Sequence, residues 1–302
     1  MVSIEDLRFF AVVAGSPTLA AAARALDVTP PAVSQRLKQL ETRLRVRLID
    51  RSTRHLTLTG EGELLAHRGR FVLTEVDDIA EALARRRGTV GGHLRIAAPF
   101  GFGRRFVAPV VARFRIENPA TTVTLTLSDN PLRLGTDSWD LLVHVGELRD
   151  SSLVAQHLAP NERVACASPD YLLRRGIPAR PPDLRRHDCA VLRENDEDVT
   201  LWRFNGAGTE VSAVRVDPVM ASNDGDVIHG WALAGCGVIV RSEWDVADDL
   251  RAGRLTLILS EWRLPAADVT ALLGGHRNRR AARTTRFLEL LRASLAAPPW
   301  RA

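Results

Sequence analysis

The chain of 302 residues carries a net charge of +5, with 45% hydrophobic and 25% charged residues. This composition is typical of a folded globular protein, and the length predicts two or three domains rather than one core. The sequence has no run of about 18 uncharged apolar residues, and residues 1–10 lack the basic start and apolar stretch of a secretory signal. We therefore expect a cytoplasmic protein with no membrane association.

The spacing of the cysteines and the distribution of charge along the chain limit the possible functions further. Cys166, Cys189 and Cys236 are odd in number and widely spaced, which predicts neither a disulfide framework nor a metal site. Residues 1–59 hold nine Lys and Arg against five Asp and Glu, whereas the remaining residues hold 32 against 31. Lys38 is the only lysine. A basic excess confined to one small module is typical of contact with polyphosphate.

The first 59 residues predict three short helices followed by a strand ribbon. Gly15-Ser16-Pro17 ends the first helix, the second begins near Leu19, and a tight turn at residues 27–29 leads into the third. Thr29 is placed to cap that third helix, and Pro30 takes its first position. The apolar stripe of the helix consists of Val33, Leu37, Leu40 and Leu44. A helix-turn-helix over about Leu19 to Lys38 is expected.

The opposite face of the third helix carries no acidic group and predicts a DNA-reading surface. In the major groove Gln35 can pair with adenine, Pro31 can touch a thymine methyl group, and Ser34 can bond a base edge or a phosphate. Arg36 and Lys38 suit phosphates, as do the free N–H groups of the helix N-terminus, where Thr29 and Pro30 lie. The alternatives are an ordinary small helical domain and, for each basic residue alone, a solvated surface charge.

Residues 51–59 predict a small strand ribbon, or wing, with alternating apolar positions at Leu56 and Leu58. Arg51 and Arg54 lie at its tip. Arginines on such a ribbon can reach the minor groove, where the negative potential of DNA is high. We therefore add both to the candidate DNA contacts of a domain covering residues 1–59.

Residues 60–91 predict one long helix and a glycine-rich connection at residues 88–92. Apolar residues recur with the 3.5-residue spacing of a coiled coil, at positions Leu65, Val72, Val76, Ile79 and Leu83. After a DNA-binding unit, this pattern favours dimerisation, because dimers match paired half-sites. The alternative is a helix that packs only on its own domain.

Residues 92–302 alternate strand-like and helix-like segments, which predicts an α/β domain with a small-molecule site. Strand ends and helix starts supply the candidate lining residues, which are Pro99, Phe100, Gly101, Phe102, Val145, Gly146, Arg193, Asn223 and Asp224. Exposed N–H groups at Gly101 and Gly103, together with Arg193, favour a carboxylate or a similar anion. For Asn223 and Asp224, capping of the next helix is an equally good explanation.

No enzyme or cofactor motif is present in the sequence. It lacks a G-x-S-x-G elbow, an H-E-x-x-H pair and a P-loop, and the glycines at 101 and 103 lack the third glycine of a dinucleotide site. We expect no catalytic residue, no cofactor and no metal. Two function classes remain open at this point: a ligand-responsive DNA-binding regulator, and a small-molecule binding protein whose N-terminal helices merely oligomerise.

Combined motifs show that the chain resembles the LysR-type transcriptional regulators. The matching segments are residues 7–10, 20–26, 31–35, 40–41, 48–51, 58–62, 92–96, 151–154, 165–169, 223–225 and 248–250. The resemblance implies a winged helix-turn-helix, a linker helix that pairs antiparallel, and a sensor domain similar to periplasmic binding proteins. Its two subdomains would cover about 92–163 plus 267–295, and about 164–266. The implied partners are operator DNA, a small-molecule effector that is a carboxylate or aromatic, further copies in a homodimer or homotetramer, and RNA polymerase.

The sequence departs from the family pattern at three places. Thr29-Pro30-Pro31 stands where Ser-Gln-Pro is usual, and Gln35 stands where many members carry Arg. The base preference should therefore differ from that of most members. Pro99 and Phe100 replace the Ser or Thr that often ends the first sensor strand, which removes a hydroxyl contact and favours a more apolar effector.

Overall fold

The computed structural model describes residues 2–50, 56–85, 90–135, 138–148, 153–193, 199–274 and 281–301, without the side chains of residues 74, 77, 78 and 80–85. The chain forms two compact units, Met1–Thr89 and Val90–Ala302. In the described ranges no helix is long and apolar enough to cross a bilayer.

The first unit is helical. Its elements are α1 (Ile4–Ala14), α2 (Leu19–Ala25), α3 (Pro30–Leu44), β1 (Ile49–Asp50), β2 (Thr57–Leu58) and α4 (Gly60–Arg85). Caps fix three helix starts: Ser3 and Asp6 form a reciprocal capping box on α1, the Thr18 hydroxyl accepts the Ala21 N–H, and the Thr59 hydroxyl accepts the Gly62 N–H. Strands β1 and β2 pair antiparallel, as the wing prediction required.

One apolar core holds this unit together. It joins α1, α2, α3 and the first strand through the buried side chains of Phe9, Phe10, Val13, Ala22, Ala23, Val33, Leu37, Leu40, Leu48, Ile49 and Ala66. Two glycines let α4 approach closely. A Cβ at Gly69 would lie 3.0 Å from the Leu7 side chain, and one at Gly62 would lie 2.0 Å from the Leu48 carbonyl oxygen.

The second unit contains two five-stranded mixed sheets. The first has the order β4-β3-β5-β14-β6, from strands β3 (Gly91–Pro99), β4 (Ala120–Ser128), β5 (Leu141–Val145), β6 (Val154–Ala159) and β14 (Val269–Leu273). Its helices are α5 (Phe100–Phe102), a π-turn (Gly103–Val107), α6 (Ala108–Glu117) and α10 (Ala282–Leu295), with short 3-10 turns at Pro131–Arg133 and Pro299–Arg301. We call this layer subdomain I.

The second sheet, with its helices, forms subdomain II. Its order is β11-β8-β12-β7-β13, from strands β7 (Arg163–Ala167), β8 (Cys189–Leu192), β11 (Pro218–Ser222), β12 (Val238–Ser242) and β13 (Thr256–Ile258). A separate hairpin joins β9 (Leu201–Asn205) to β10 (Val211–Arg215). The helices are α7 (Pro169–Arg175), α8 (Gly225–Leu233) and α9 (Glu243–Arg251), with a 3-10 turn at Pro181–Arg186.

This architecture confirms the predicted fold class. Strand β14 returns to the first sheet after the whole of subdomain II and pairs antiparallel with both β5 and β6. The chain therefore crosses between the sheets twice, through residues 159–163 and 258–269. The domain boundaries expected from sequence remain predictions.

Candidate functional site

Helix α3 presents the predicted polar face to solvent. Val33, Leu37 and Leu40 are at most 2% exposed and face the core, so the side chains half a turn away must point outward. Every member of that outward face is exposed, and it comprises Pro31, Ser34, Gln35, Lys38 and Thr42. The structure therefore orients these residues as a surface-reading helix requires.

Two residues near this face have contacts that the sequence did not predict. Thr29 is the N-cap residue of α3 with extended backbone, yet within residues 2–50 its hydroxyl accepts no helix N–H, so the expected side-chain cap is wrong. Arg36 turns back onto α1: its guanidinium lies 4.6 Å from the centre of the Phe9 ring and donates to the Glu5 carbonyl oxygen over 3.2 Å. Arg36 thus braces α1 against α3, which differs from the phosphate contact expected of it.

The wing is anchored to α3 by a buried carboxylate. Glu41, 9% exposed, accepts the backbone N–H groups of Leu48 and Ile49 over 2.8 and 3.4 Å. Because these amides begin the wing, Glu41 fixes where the ribbon leaves the helix. Arg51 and Arg54, the predicted tip residues, lie outside the described residues.

The carboxyl ends of the parallel strands in each sheet supply the predicted ligand segments. In subdomain I the ends of β3, β4 and β5 lie at one edge, and in subdomain II the ends of β8, β11 and β12 do the same. Ligands of open α/β sheets bind at such edges. The two edges meet, because the Asn223 amide donates to the Asp129 carboxylate over 2.9 Å.

The predicted subdomain I residues are placed unequally. Pro99, Phe100 and Gly101 are half-buried, and a Cβ at Gly101 would lie 3.0 Å from the Trp244 ring. Phe102, by contrast, is 0% exposed and packs against Phe106 and Trp244 in the core. It offers no surface to a ligand, which corrects its place among the lining residues.

The end of β5 lies close to a basic side chain. Val145 and Gly146 are half-buried, and Gly146 has a φ of 125°, a left-handed conformation that favours glycine. A Cβ there would lie 3.4 Å from an Arg163 Nη atom. Val145 and Gly146 therefore border the place where the chain enters subdomain II.

In subdomain II, Asp224 caps α8, since its carboxylate accepts the Asp226 N–H over 2.9 Å. The same carboxylate lies 3.4 Å from the Arg104 guanidinium, which also pairs with Asp226. The capping explanation for Asp224 is thus confirmed, and the residue additionally joins the two subdomains. Arg193 is exposed and its backbone N–H bonds to Ser222.

A cavity of about 500 Å³ lies at the strand-end edge of subdomain II, with Glu147 as its described lining residue from subdomain I. Its basic and acidic lining residues are Arg163, Arg203, Arg241 and Glu147, and its apolar wall includes Leu192, Trp202, Leu264 and Pro265. In the described ranges neither Arg163 nor Arg203 has an ion-pair partner. Among the described lining residues, three are basic and one is acidic.

Arg241 differs because it belongs to a buried network. It is 6% exposed and its Nε donates to Asp245 over 2.7 Å. Burial alone would raise the pKa of Asp245, but Arg241 and His229 lower it overall. A Cβ at Gly225 would lie 2.1 Å from the Arg241 guanidinium, so any larger residue at the start of α8 would displace this guanidinium. The described residues contain no cluster able to hold a metal ion.

Comparisons with known proteins decide the family. Residues 4–63 match the family model described as "Bacterial regulatory helix-turn-helix protein, lysR family", and residues 87–296 match "LysR substrate binding domain". The chain belongs to the LysR-type transcriptional regulators. It is therefore a DNA-binding transcription regulator with an effector-binding domain, and not an enzyme.

Relatives of this LysR-type regulator align along most of its length. It is 35% identical over 264 residues to the HTH-type transcriptional regulator DmlR of Escherichia coli K12, covering 87% of this chain and 85% of that protein. It is 34% identical to the transcriptional activator TtdR of the same strain, covering 85% and 83%. The full-length virulence activator AphB of Vibrio cholerae has the same fold, with a TM-score of 0.65 at 22% identity, covering 96% and 98%.

Sequence inspection of this LysR-type regulator missed the arginines of the cavity. Arg241 stands in the otherwise apolar strand Val238–Ser242, and such a charge in a core strand was the signal available. Arg163 begins β7 and Arg203 lies in the middle of β9, whereas the predicted segments were strand ends and helix starts. Only the pairing of β7, β8 and β12 brings the Arg163 and Arg241 strands to one edge.

Proposed function

We propose that α3 reads operator DNA through Pro31, Ser34, Gln35 and Lys38, while the cavity at the edge of subdomain II binds a small carboxylate. The observation that carries the DNA half is the exposure of the whole non-acidic face of α3 above a fully buried apolar stripe. Gln35 is the base-reading residue, because its amide can donate to and accept from one adenine edge. Lys38 contacts phosphate, and Thr29 and Pro30 lie beside the DNA backbone at the N-terminal end of α3. Arg51 and Arg54 complete the proposed interface.

The DNA half is tested by Gln35→Ala on the intergenic DNA upstream of the chain's own gene. We expect a loss of about 1–3 kcal/mol and a relaxed preference at one base pair, measured by gel shift with single-position operator variants. Gln39→Ala is the matched control, since Gln39 is exposed one turn further along the same helix. Equal weakening on every operator variant would contradict base reading by Gln35.

The volume of the cavity and the charge of its lining residues support the proposal that it binds a carboxylate. About 500 Å³ lies within the range of small-molecule sites. Guanidinium groups bind carboxylates through paired hydrogen bonds, and Arg163 and Arg203 both line the cavity beside a single described acid, Glu147. Trp202 and Pro265 offer an apolar surface that suits a ligand with an aromatic or aliphatic body. Arg193 stands at the same strand edge.

A thermal-shift series on the full chain tests the ligand class. Small aliphatic and aromatic carboxylates are compared with their uncharged amides, because a true effector raises the melting temperature by mass action. Arg163→Ala and Arg203→Ala should each remove the shift, while Arg185→Ala, an exposed arginine that does not line the cavity, should retain it. An amide that stabilises as well as its acid would overturn the proposal.

The assembly part of the proposal rests on α4. Four of its large apolar side chains are 43–62% exposed, namely Leu64, Phe71, Val72 and Ile79. A helix with this exposed stripe is suited to pair with a second copy. We propose a homodimer or a homotetramer, which sedimentation of wild type and Phe71→Glu distinguishes from a monomer. RNA polymerase is the further partner we propose, and transcription in vitro from the bound promoter is its test.

A further inference from the structure

The two subdomains are joined at a narrow point where both crossing segments touch. Asn161, 1% exposed, donates its side-chain amide to the Ala267 carbonyl oxygen over 2.8 Å and accepts the Ala267 N–H at its own carbonyl over 3.2 Å. Next to it, the Glu243 N–H bonds to the Glu162 carbonyl oxygen over 2.7 Å. Rotation of one subdomain against the other must bend these few residues.

The C-terminal turn Pro299–Arg301 packs beside this point. Trp300 is 4% exposed, and its ring centre lies 5.2 Å from Phe106 and 6.1 Å from Phe102. The same two rings also pack edge-on against Trp244, whose ring centre lies 6.0 Å from that of Phe106 and 5.4 Å from that of Phe102. Trp244 belongs to α9 of subdomain II, whereas Phe102 and Phe106 belong to subdomain I. Trp300 thus completes an aromatic cluster that spans both subdomains.

Arg301 adds a charged connection to the same place. Its guanidinium makes a two-pronged contact with the Glu243 carboxylate, with N–O distances of 3.0 Å to Oε1 and 2.7 Å to Oε2, and lies 3.7 Å from Glu162. Arg251 of α9 donates in return to the Trp300 carbonyl oxygen over 3.3 Å. Two-pronged arginine–carboxylate pairs hold orientation as well as distance. The turn is therefore fixed to subdomain II at its side chain and at its backbone.

We propose that Pro299–Arg301 is a latch that sets the angle between the two subdomains, with Trp300 and Arg301 as its positioning residues. The turn follows α10, which packs in subdomain I through Phe287 and Leu291. It therefore connects the core of one subdomain to the first residue of α9 in the other. This inference goes beyond DNA reading and effector binding, because it assigns control of the cleft to the end of the chain.

Arg301→Ala and Trp300→Ala are the test variants, and Arg292→Ala is the matched control. Arg292 also makes one polar contact over 2.6 Å, but its partner Gln156 lies in the same subdomain. Subdomain separation is measured on the full chain by spin labels at Ala112→Cys and Ala179→Cys, two exposed positions on opposite subdomains. Cys236 is replaced by Ser, and labelled chains are diluted into excess unlabelled protein.

The native thiols that remain do not interfere with labelling. Cys166 and Cys189 are fully buried, and burial raises the pKa of each thiol to about 12, so both stay protonated and inaccessible.

We expect both latch variants to widen the distribution of distances between the two spin labels and to increase its mean, while Arg292→Ala leaves the distribution unchanged. Hydrogen exchange at the Glu243 and Ala267 amides should also become about fivefold faster in Arg301→Ala, the size expected when an exposed ion pair is lost. Arg301→Lys should restore only part of the wild-type distribution, because it keeps the charge but not the two-pronged geometry. Unchanged distances in both latch variants, or an equal change in Arg292→Ala, would overturn the latch.

Discussion

Gly62→Ala should destabilise the DNA-binding unit without affecting the stability of the rest of the chain. The new Cβ would lie 2.0 Å from the Leu48 carbonyl oxygen and 3.0 Å from its carbonyl carbon. Both are backbone atoms, so no rotamer change relieves the overlap, and either α4 or the start of the wing must move. Leu48 is 1% exposed and its N–H is held by Glu41, which makes that movement costly.

We expect the free energy of unfolding of this unit to fall by about 3 kcal/mol, the upper end for an overpacked core. For a unit of this size, that lowers the melting temperature by roughly 12–24 °C. Gly60→Ala is the control, since a Cβ there meets nothing within 4 Å. It should leave stability unchanged or raise it by up to about 1 kcal/mol, because alanine is the better helix former.

Two spectroscopic signals separate the units in this experiment. All six tryptophans lie at position 139 or later, so tryptophan fluorescence follows only the C-terminal unit, whereas far-ultraviolet circular dichroism follows both. Gly62→Ala should lower the melting temperature of the DNA-binding unit in the dichroism curve and leave the melting temperature seen by fluorescence unchanged. A wild-type dichroism curve for Gly62→Ala, or an equal loss in Gly60→Ala, would refute the steric argument.

Three further predictions concern charge. Burial alone would raise the pKa of Asp6, but hydrogen bonds from Ser3 and Arg43 lower it below 3.8 overall. The stability that Asp6 contributes is therefore complete above pH 3.8 and is lost as the pH falls through the lowered pKa. Asp6→Asn should make the free energy of unfolding depend less steeply on pH in acid. Burial would lower the pKa of His229, but Asp245 and Asp249 raise it above 6.5 overall. The stability that His229 contributes is therefore complete below pH 6.5 and is lost as the pH rises through the raised pKa. His229→Gln should remove this loss of stability at higher pH in denaturant titrations, and a loss identical to that of the wild type would contradict the assignment. Lys38→Ala should reduce the salt dependence of operator binding by about one phosphate in a log–log titration.

Local pattern was sufficient to predict the helix-turn-helix, because each of its signals acts over a few residues. The spacing of Val33, Leu37 and Leu40 fixes which side of α3 is buried, and with it the exposure of Gln35 and Lys38. The side-chain cap predicted at Thr29 was wrong because it does not depend on local spacing alone. Its backbone has the expected position, but the orientation of a hydroxyl depends on neighbours that the spacing does not specify.

The cleft was predicted only in part, because it depends on contacts between distant segments. Strand ends pointed to Val145, Gly146 and Asp224, all of which lie at or beside the junction of the subdomains. Phe102 was misplaced, since a strand-to-helix turn does not show which aromatic ring faces the core. Arg163 on β7 and Arg203 on the separate β9–β10 hairpin were recognised only from the folded structure, which brings both to one cavity.

The exposure of Lys38 on α3 has a practical consequence. Because no other lysine occurs in the chain, an amine-selective acylating reagent has a single side chain to modify, apart from the terminal amine. Modification would remove the positive charge from the proposed operator surface, and operator bound there would in turn shield the amine from the reagent. One intact-mass measurement of acylation would therefore report promoter occupancy without any engineered label.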